Sequence, residues 1–340
     1  MSNQQPHRVT LIPGDGIGPE IVQSAKSVIE CTGVRIEWEE MRAGQCAIPE
    51  CGHPVPESVL DSIKSTQATL KGPMINVRGT EFPGPNGYIR RTLGLYANVR
   101  YARSFAGVKT FYPDVDIVVV RETTEDVYRG QEQMIGPDAA VALKFTTRAG
   151  ASRVIRFAFD FATRENRNKV TVVLKANVLR LTDGLFLEEA RNISKDFPDI
   201  EFEEMNIDAQ CLELVRKPQE YDVLVMPNLY GDIVSDLAGG LVGSVGLCPG
   251  VNIGEDIGVF EAAHGSAPKY SGLNKVNPTA MILSGALMLE YLGEKDSAMK
   301  IRQAISDVLF EGKHLTYDLG GTTGTTQMTG AIVDQIENVS

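Results

Sequence analysis

The sequence predicts an α/β fold in which buried strands alternate with helices. Short β-branched runs, typical of strands buried on both faces of a sheet, recur along the chain. Longer segments of helical periodicity separate these runs, which is the arrangement of parallel sheets. At 340 residues the chain is long enough for roughly two domains.

The strands and helices can be placed from their apolar patterns. Continuous apolar runs predict strands at Val9–Ile12, Asp116–Val120, Val170–Leu174 and Tyr221–Met226, with a further strand-like run at Ile200–Ile207. Apolar residues spaced by three and four predict helices at Gly184–Ser194, Ile233–Leu241, Thr279–Leu292 and Ala298–Leu309. Residues 130–154 read as two extended pieces around Gly136-Pro137-Asp138, which predicts a protruding hairpin. Such a hairpin has apolar residues on both faces and would need a partner, which favours a dimer.

A glycine-rich turn follows the first predicted strand. Gly14, Gly16 and Gly18 have the spacing G-x-G-x-G, and Pro19 suits the first turn of the helix that follows. No acidic residue clearly ends a second strand about 20 residues later, as a dinucleotide-binding fingerprint requires. The pattern therefore favours a tight strand-to-helix turn over a Rossmann site.

Composition excludes several classes of protein. The chain has 33 basic and 44 acidic residues, a net charge of −11, so we expect no binding to nucleic acid or to an anionic membrane. Five cysteines, an odd number without a zinc pattern, indicate free thiols in a reducing compartment. No signal region is recognisable, and the longest apolar stretch is too short to span a membrane. We therefore expect a soluble, cytoplasmic protein.

Acidic residues suggest a metal site after the strand that ends at Met226. Asp232 and Asp236 are four residues apart and share one face of a predicted helix that starts near Asp232. Asp208 offers a third carboxylate, and oxygen ligands alone suit Mg²⁺ or Mn²⁺. The alternative is a helix-capping Asp232 and a solvated Asp236.

Basic residues at the ends of strand-like runs suggest an anion pocket. Arg90, Arg100 and Arg121 each end a short structured segment, where an arginine fork can anchor a carboxylate. A structural salt bridge is the alternative for each of them. Lys175 ends an apolar strand and could act as a base, with Tyr128 as the matching acid.

Six ordered segments carry a family resemblance that covers residues 11 to about 330. The chain resembles the β-decarboxylating dehydrogenases, the family of isocitrate, 3-isopropylmalate and homoisocitrate dehydrogenases. The segments are IPGDGIGPE at 12–20, LYANVR at 95–100, VVRETTEDVY at 119–128, LKANVLRLTDGLF at 174–186, MPNLYGDIVSDLAGGLVG at 226–243 and FEAAHGSAPKYSG at 260–272.

The resemblance implies an isopropylmalate-dehydrogenase-like fold rather than a Rossmann fold. Two α/β domains would share one long mixed sheet. Residues 1–100 and 255–340 would form a large cofactor-binding domain. Residues 101–254 would form a small domain with the dimerisation hairpin and the metal and substrate residues. The family further implies a homodimer or higher homo-oligomer in which active sites are shared between subunits.

The resemblance also implies roles for individual residues. The residues that would hold the substrate carboxylates are Asn86, Arg90, Arg100 and Arg121. The metal would be bound by Asp232, Asp236 and the neighbouring subunit's Asp208. Lys175, also supplied by the neighbour, would assist removal of the hydroxyl proton, and Tyr128 would protonate the enolate carbon. The cofactor would lie along His264, Gly265, Ala267, Lys269, Tyr270, Asn277, Tyr317 and Asp318.

Two departures from the family pattern bear on specificity. Lys269, Tyr270 and Tyr317 match NADP-using isocitrate enzymes, so we expect NADP as the cofactor, with NAD as the alternative. The first departure is Gly321, which stands where those enzymes have an arginine four residues after the tyrosine. Isocitrate, a small-molecule tricarboxylate, is the expected substrate. The serine that usually stands six residues before the first arginine is Gly84, which leaves homoisocitrate or 3-isopropylmalate open. A non-catalytic regulatory subunit is a distant alternative of another class.

Overall fold

A computed structural model describes residues 5–77, 82 and 84–339, with the side chain of residue 339 excepted. The strands are β1 (His7–Ile12), β2 (Ile36–Glu40), β3 (Ala68–Lys71), β4 (Ala97–Arg103), β5 (Asp116–Glu122), β6 (Glu132–Ile135), β7 (Ala139–Ala142), β8 (Lys169–Leu174), β9 (Glu201–Asn206), β10 (Val223–Met226), β11 (Pro249–Ile253) and β12 (Gly258–Ala262). The helices are α1 (Gly18–Cys31), α2 (Ile48–Cys51), α3 (Glu57–Thr66), α4 (Pro85–Thr92), α5 (Arg148–Arg164), α6 (Thr182–Ile193), α7 (Ile207–Arg216), α8 (Asn228–Leu241), α9 (Thr279–Tyr291), α10 (Lys295–Glu311) and α11 (Thr325–Val339).

One open ten-stranded sheet organises the chain, in the order β2-β1-β3-β12-β11-β4-β5-β10-β8-β9. Most neighbouring strands are parallel, whereas β4 and β11 run antiparallel to each other and to their outer neighbours β5 and β12. The predicted α/β class and the long mixed sheet are confirmed. The strands in the middle of this order also carry the residues that form the site described below.

Helices cover both faces of the sheet. Val118 and Val120 of β5 pack in one buried cluster with α5, whereas the alternate residues Ile117 and Val119 pack in another with α8. This alternation explains why the strands read as continuous apolar runs. No helix in the described ranges is long and apolar enough to pass through a bilayer.

Two predicted boundaries were wrong. Helix α8 begins at Asn228, four residues before Asp232, and Pro227 occupies the N-cap position with an extended backbone (φ −57°, ψ 164°). Asp232 therefore lies inside the helix and does not cap it. The predicted hairpin exists as β6 and β7, but its second extended piece ends at Ala142. From Arg148 the chain is helical, because the Thr147 side chain caps α5 by accepting from the Gly150 N–H.

The glycine-rich turn is a tight strand-to-helix connection, as predicted. Gly14 and Gly16 have φ values of +74° and +62°, a region that favours glycine. A Cβ at Gly16 would lie 2.1 Å from the carbonyl oxygen of Ser266, so no side chain fits there. The turn thus packs directly against the loop that follows β12.

Candidate active site

Three arginines converge where β11, β4 and β5 lie side by side. Arg100 and Arg121 extend from β4 and β5, and Arg90 reaches the same region from α4. The register pairs Asn98 with Arg121 on one side and with Asn252 on the other. A row of polar side chains therefore crosses the sheet at this point, beside the residues that the resemblance assigned to the substrate.

Arg121 is almost completely buried and bound at both ends of its guanidinium. Its Nε and Nη2 donate to Asn228 Oδ1 at 2.9 and 2.7 Å, and its Nη1 donates to Asp232. Burial, together with the neighbouring charge of Arg90, lowers the pKa of Arg121 to about 10, so the group stays charged at neutral pH. A carboxylate substrate would meet a fixed positive charge here.

Arg100 contacts both aspartates of α8. Its Nη1 lies 3.2 Å from Asp236 Oδ1, and its Nη2 lies 3.5 Å from Asp232 Oδ1. Burial would raise the pKa of Asp232, but Arg121 and Arg100 outweigh it and lower that pKa. Burial, helped by the charge of Asp232, instead raises the pKa of Asp236. The two carboxylates therefore differ in basicity although they share one helix face.

Arg90 is anchored by a buried ion-pair cluster. Its Nη2 donates to Glu261 Oε1 at 2.8 Å, and the Lys71 ammonium lies 2.5 Å from Glu261 Oε2. Lys71 also donates to Asn86 Oδ1 at 3.0 Å. Burial lowers the pKa of Lys71. The cluster holds two predicted substrate residues, Asn86 and Arg90, in one arrangement.

Two buried asparagines connect the arginines. Arg90 Nε donates to Asn252 Oδ1 at 2.9 Å, and Asn98 Nδ2 donates to the same oxygen at 3.0 Å. Arg100 Nε in turn donates to Asn98 Oδ1 at 2.9 Å. Asn98 and Asn252 are each 1% exposed, so these bonds are shielded from water. The Nε groups are thus occupied, while Nη groups of both arginines remain directed at carboxylates.

Tyr128 lies beside the aspartates. Its hydroxyl donates to Asp232 Oδ2 at 2.5 Å, and the Arg121 guanidinium lies 5.0 Å from its ring centroid. Burial and the bond to Asp232 raise the pKa of the Tyr128 hydroxyl, so it keeps its proton at neutral pH. Tyr128 is 41% exposed, so it is accessible from solvent.

Lys175 and Asp208 stand apart from this cluster. They form an ion pair with each other, which lowers the pKa of Asp208. Within the described ranges of a single chain, no group of three metal-ligating side chains forms. Asp232 and Asp236 supply only carboxylate oxygens, which fit Mg²⁺ or Mn²⁺. Among the described residues no third carboxylate joins them, and the resemblance assigned that ligand to a neighbour.

A pocket of about 240 Å³ collects most of the predicted cofactor residues. Its lining includes His264, Gly265, Ala267, Tyr270, Asn277, Tyr317 and Asp318. Asp318 is held by three donors: Ser244 at 2.6 Å, Asn277 at 3.0 Å and Thr316 at 2.6 Å. The His264 Nε2 is buried and lacks a partner among the described residues, as expected of a group that meets a ligand.

Two lysines flank a pair of tyrosines at the edge of this pocket. The rings of Tyr270 and Tyr317 lie 5.5 Å apart. The Lys269 ammonium is 4.9 Å from the Tyr270 ring, and the Lys275 ammonium is 4.7 Å from the Tyr317 ring. Lys275 was missing from the sequence-based residue set. Together these groups form a cationic, hydroxyl-bearing edge.

Gly321 is required by close packing. A Cβ at this position would lie 2.0 Å from the backbone carbonyl oxygen of Leu315. The arginine found in NADP-using isocitrate enzymes therefore cannot occupy this position without a backbone shift.

Sequence reasoning missed the residues that hold the arginines. Lys71, Asn98, Asn252 and Glu261 all lie within strands. A charged or amide side chain inside an apolar strand run was the available signal, because such groups are buried only with partners. The partners themselves come from distant parts of the chain.

Comparisons with known proteins support the resemblance. The family model described as isocitrate/isopropylmalate dehydrogenase matches residues 8–336. The chain is 45% identical over 336 residues to "Isocitrate dehydrogenase [NAD] catalytic subunit 5, mitochondrial" of Arabidopsis thaliana, covering 98% of this chain and 90% of that protein. It is 43% identical over 336 residues to a Dictyostelium discoideum protein named as a mitochondrial regulatory subunit of NAD isocitrate dehydrogenase, covering 98% and 93%. The crystal structure of isocitrate dehydrogenase from Methylococcus capsulatus matches with a TM-score of 0.94 and 48% identity, covering 97% of this chain and 99% of that chain.

These names correct two expectations. The expected cytoplasmic location is contradicted, because the Arabidopsis and Dictyostelium relatives are named mitochondrial, and it is withdrawn. The expected preference for NADP is not supported, because both relatives are named as NAD enzymes and the arginine position is closed at Gly321. Both relatives are also named as subunits, which leaves the expected homodimer open. The family assignment itself rests on a match along nearly the whole chain, and the chain belongs to the isocitrate/isopropylmalate dehydrogenase family.

Proposed function

We propose that this chain catalyses the oxidative decarboxylation of isocitrate to 2-oxoglutarate, with NAD as hydride acceptor and Mg²⁺ or Mn²⁺ as the metal. The observation that carries the proposal is that Arg100 and Arg121 contact two aspartates of α8, while Arg90 is joined to Arg100 through Asn252 and Asn98. We call this group of side chains the cleft. Arg90, Arg100 and Arg121 come from α4, β4 and β5, so their forks can approach different carboxylates of one small molecule. A tricarboxylate satisfies three such groups.

The residues of the cleft divide the chemistry among them. The arginines bind and orient the substrate carboxylates, and Asp232 and Asp236 provide oxygens for the cation. When bound, the cation would stabilise the negative charge that develops as CO₂ leaves, and the nicotinamide would accept the hydride. Tyr128 keeps its proton at neutral pH because its pKa is raised, and it would deliver that proton to the enolate carbon from which CO₂ has left.

We infer that each active site is completed by a second protomer. Lys175 would assist removal of the hydroxyl proton, and Asp208 would complete the metal ligands, both from the neighbour. The pairing of these two residues with each other, apart from Asp232 and Asp236, supports this arrangement. We further propose that residues 1–100 and 255–340 form the large domain and residues 101–254 the small one, with the arginines at their junction.

A regulatory role is the second class to be tested, because a relative of 43% identity is named as regulatory. The retention of Tyr128, Lys175 and the three aspartates favours an active enzyme. The test is turnover of the purified chain alone with isocitrate, homoisocitrate and 3-isopropylmalate, each with NAD and NADP and with Mg²⁺ or Mn²⁺. We expect isocitrate with NAD to give the highest kcat/KM. Absence of turnover with every pair would contradict the proposal.

The cationic edge of the cofactor pocket favours NADP as a second candidate acceptor. Lys269 and Lys275 could both approach a 2′-phosphate, with the hydroxyls of Tyr270 and Tyr317. A charge-assisted contact to phosphate contributes roughly 1.5–3 kcal/mol, about tenfold to a hundredfold in affinity. The Lys269→Asp, Tyr270→Ile double variant should lower kcat/KM for NADP by that factor and leave NAD little changed. Lys313→Asp, an exposed lysine paired with Glu311, is the control. Equal effects on both cofactors would show that these residues do not face the phosphate.

A further inference from the structure

Gly84 occupies a position where the backbone does not require glycine. It is the N-cap of α4, with φ −54° and ψ 126°, values open to any residue, and no side chain caps the helix. A serine would be favoured there, because its hydroxyl can accept from a backbone N–H of the first turn. The reason for glycine at this position must therefore lie in the surroundings of the residue.

The side chain of Asn76 fills the space beside Gly84. A Cβ on residue 84 would lie 2.8 Å from Asn76 Oδ1 and 3.3 Å from its Cγ. Real Cβ atoms essentially never lie as close as 2.8 Å to another heavy atom, so the end of the Asn76 side chain would have to move. Asn76 itself is exposed, in the segment that follows β3. A side chain at residue 84 and the observed position of Asn76 thus exclude each other.

The same corner of the cleft holds predicted substrate residues. Helix α4 carries Asn86 and Arg90, and its first N–H groups favour a negative charge at its N-terminus. Lys71, five residues before Asn76, binds Asn86. An asparagine amide offers an N–H donor, as a serine hydroxyl offers an O–H donor. The Nδ2 of Asn76, in the segment after β3, lies 3.6 Å from the position that a Cβ of residue 84 would take. Asn76 can therefore supply the donor that residue 84 lacks.

We propose that Asn76 is a specificity-determining residue, which binds the substrate carboxylate that isocitrate enzymes of this family bind with a serine at residue 84. The inference rests on the proposed function. In this chain the Asn76 amide would take the place of the serine hydroxyl as a neutral donor. The absence of a side chain at Gly84 leaves the space that the Asn76 side chain occupies.

The test is a double-mutant cycle of Asn76→Ala and Gly84→Ser, measured with isocitrate at saturating cofactor and metal. Asn76→Ala should lower kcat/KM about ten- to a hundredfold, mainly through KM, because a bond to a charged group is lost. Adding Gly84→Ser to Asn76→Ala should recover most of the loss, because the serine hydroxyl then has room. The KM for the cofactor should stay within about twofold of wild type in all four forms.

Melting temperatures of the same four proteins test the exclusion without turnover. Gly84→Ser should raise the melting temperature of Asn76→Ala more than that of the wild type. In both backgrounds the serine can cap α4, but in the wild type its Cβ must first displace the Asn76 side chain. Gly330→Ser in α11, where a Cβ meets nothing within 4 Å, is the control for a serine in a helix.

Three outcomes would overturn the inference. One is an Asn76→Ala variant within about twofold of wild type in KM for isocitrate. Another is a Gly84→Ser substitution that recovers no activity in the Asn76→Ala background. The last is an equal change in melting temperature in both backgrounds. Failure of the wild-type chain to oxidise isocitrate would instead contradict the proposed function, and the melting temperatures would still test whether the two side chains exclude each other.

Discussion

At the scale of single residues, contacting neighbours determine which side chains of the cleft are charged and which are neutral. Arg121 stays charged although it is buried, because Asp232 and Asn228 bind it. Tyr128 stays protonated because burial and Asp232 raise its pKa. Directly contacting neighbours decide these states, so a single substitution should change one role at a time.

The first prediction concerns Tyr128 as the proton donor. Tyr128→Phe removes the hydroxyl but keeps the ring that stacks on Arg121. General acids contribute about 10²–10⁴-fold, so we expect kcat to fall at least about a hundredfold with isocitrate KM within about threefold. Tyr112→Phe, whose hydroxyl donates to the Val215 carbonyl outside the cleft, is the control. Turnover of Tyr128→Phe at the wild-type rate would assign the proton to another group.

The second prediction concerns Asn98 as a positioning residue for the arginines. Asn98→Leu keeps the volume but leaves the Nε of Arg100 without its acceptor. We expect the isocitrate KM to rise about tenfold with a smaller change in kcat, and Asn98→Asp, which retains an acceptor, to lose less. Thr171→Val, another buried polar residue in a strand, is the control. A lower melting temperature with unchanged KM would show that Asn98 only supports packing.

At the scale of elements, strand ends and one helix assemble the site. Lys71 ends β3, Glu261 lies in the neighbouring β12, and Arg90 comes from α4. Burial by itself would raise the pKa of the Glu261 carboxyl, but Lys71 and Arg90 outweigh burial and hold that pKa well below its ordinary range. The charged form of Glu261 therefore stabilises the junction of these three elements.

The third prediction is the pH dependence of that stabilisation. Because the folded-state pKa of Glu261 is depressed, its contribution is complete above the unfolded value of about 4.3 and is lost as pH falls. Glu261→Gln should lower the free energy of unfolding by about 3–5 kcal/mol at pH 7, since it leaves Lys71 and Arg90 without their carboxylate. Urea titrations at decreasing pH should show the difference shrinking below about pH 4.3.

An exposed pair provides the control for this measurement. Glu39→Gln breaks the contact with Arg8, which is 3.0 Å long and open to solvent on both sides. We expect it to cost less than about 1 kcal/mol at any pH. A Glu261→Gln difference as small as that of Glu39→Gln would mean that the buried cluster contributes nothing net.

At the scale of the whole molecule, the described part of the chain exposes large apolar side chains on several elements. Met134 and Ile135 of the β6–β7 hairpin are 64% and 58% exposed. Leu212 of α7 and Ile233 of α8 are also exposed, and Ile233 directly follows Asp232. Large apolar side chains exposed on several elements are typical of a protein interface. They are consistent with the second protomer that we propose.

The fourth prediction tests whether sites are shared. Lys175→Met and Asp232→Asn should each be inactive alone. When the two variants are unfolded together and refolded, mixed dimers contain one site with both native residues. About a quarter of wild-type specific activity should return, because half of the dimers are mixed and each has one intact site. No recovery, with mixed dimers demonstrated by a tag on one variant, would place Lys175 in its own chain's site.

The local sequence was sufficient for the α/β class and for strands β1, β5, β8 and β10 and helices α6, α9 and α10, because periodicity and turn residues are local properties. The roles of the site residues came from the family resemblance and stay predictions. The four continuous strands and the glycine turn needed no tertiary information. The predicted start of α8 and the predicted length of the second hairpin arm were wrong. The apolar pattern shows neither the N-cap position of Pro227 nor the capping of α5 by the Thr147 side chain.

Other features came from contacts between distant segments. The chain of Arg90, Asn252, Asn98 and Arg100 depends on the register of β11 against β4, which sequence spacing does not determine. A Cβ at Gly321 would clash with Leu315, and a Cβ at Gly84 would clash with Asn76. Both restrictions depend on how separate segments of the chain approach each other. The sequence by itself determined which chemical groups are present and which elements carry them. Tertiary structure alone decided which groups meet, because short-range contacts depend on ångström-scale packing between elements far apart in the chain.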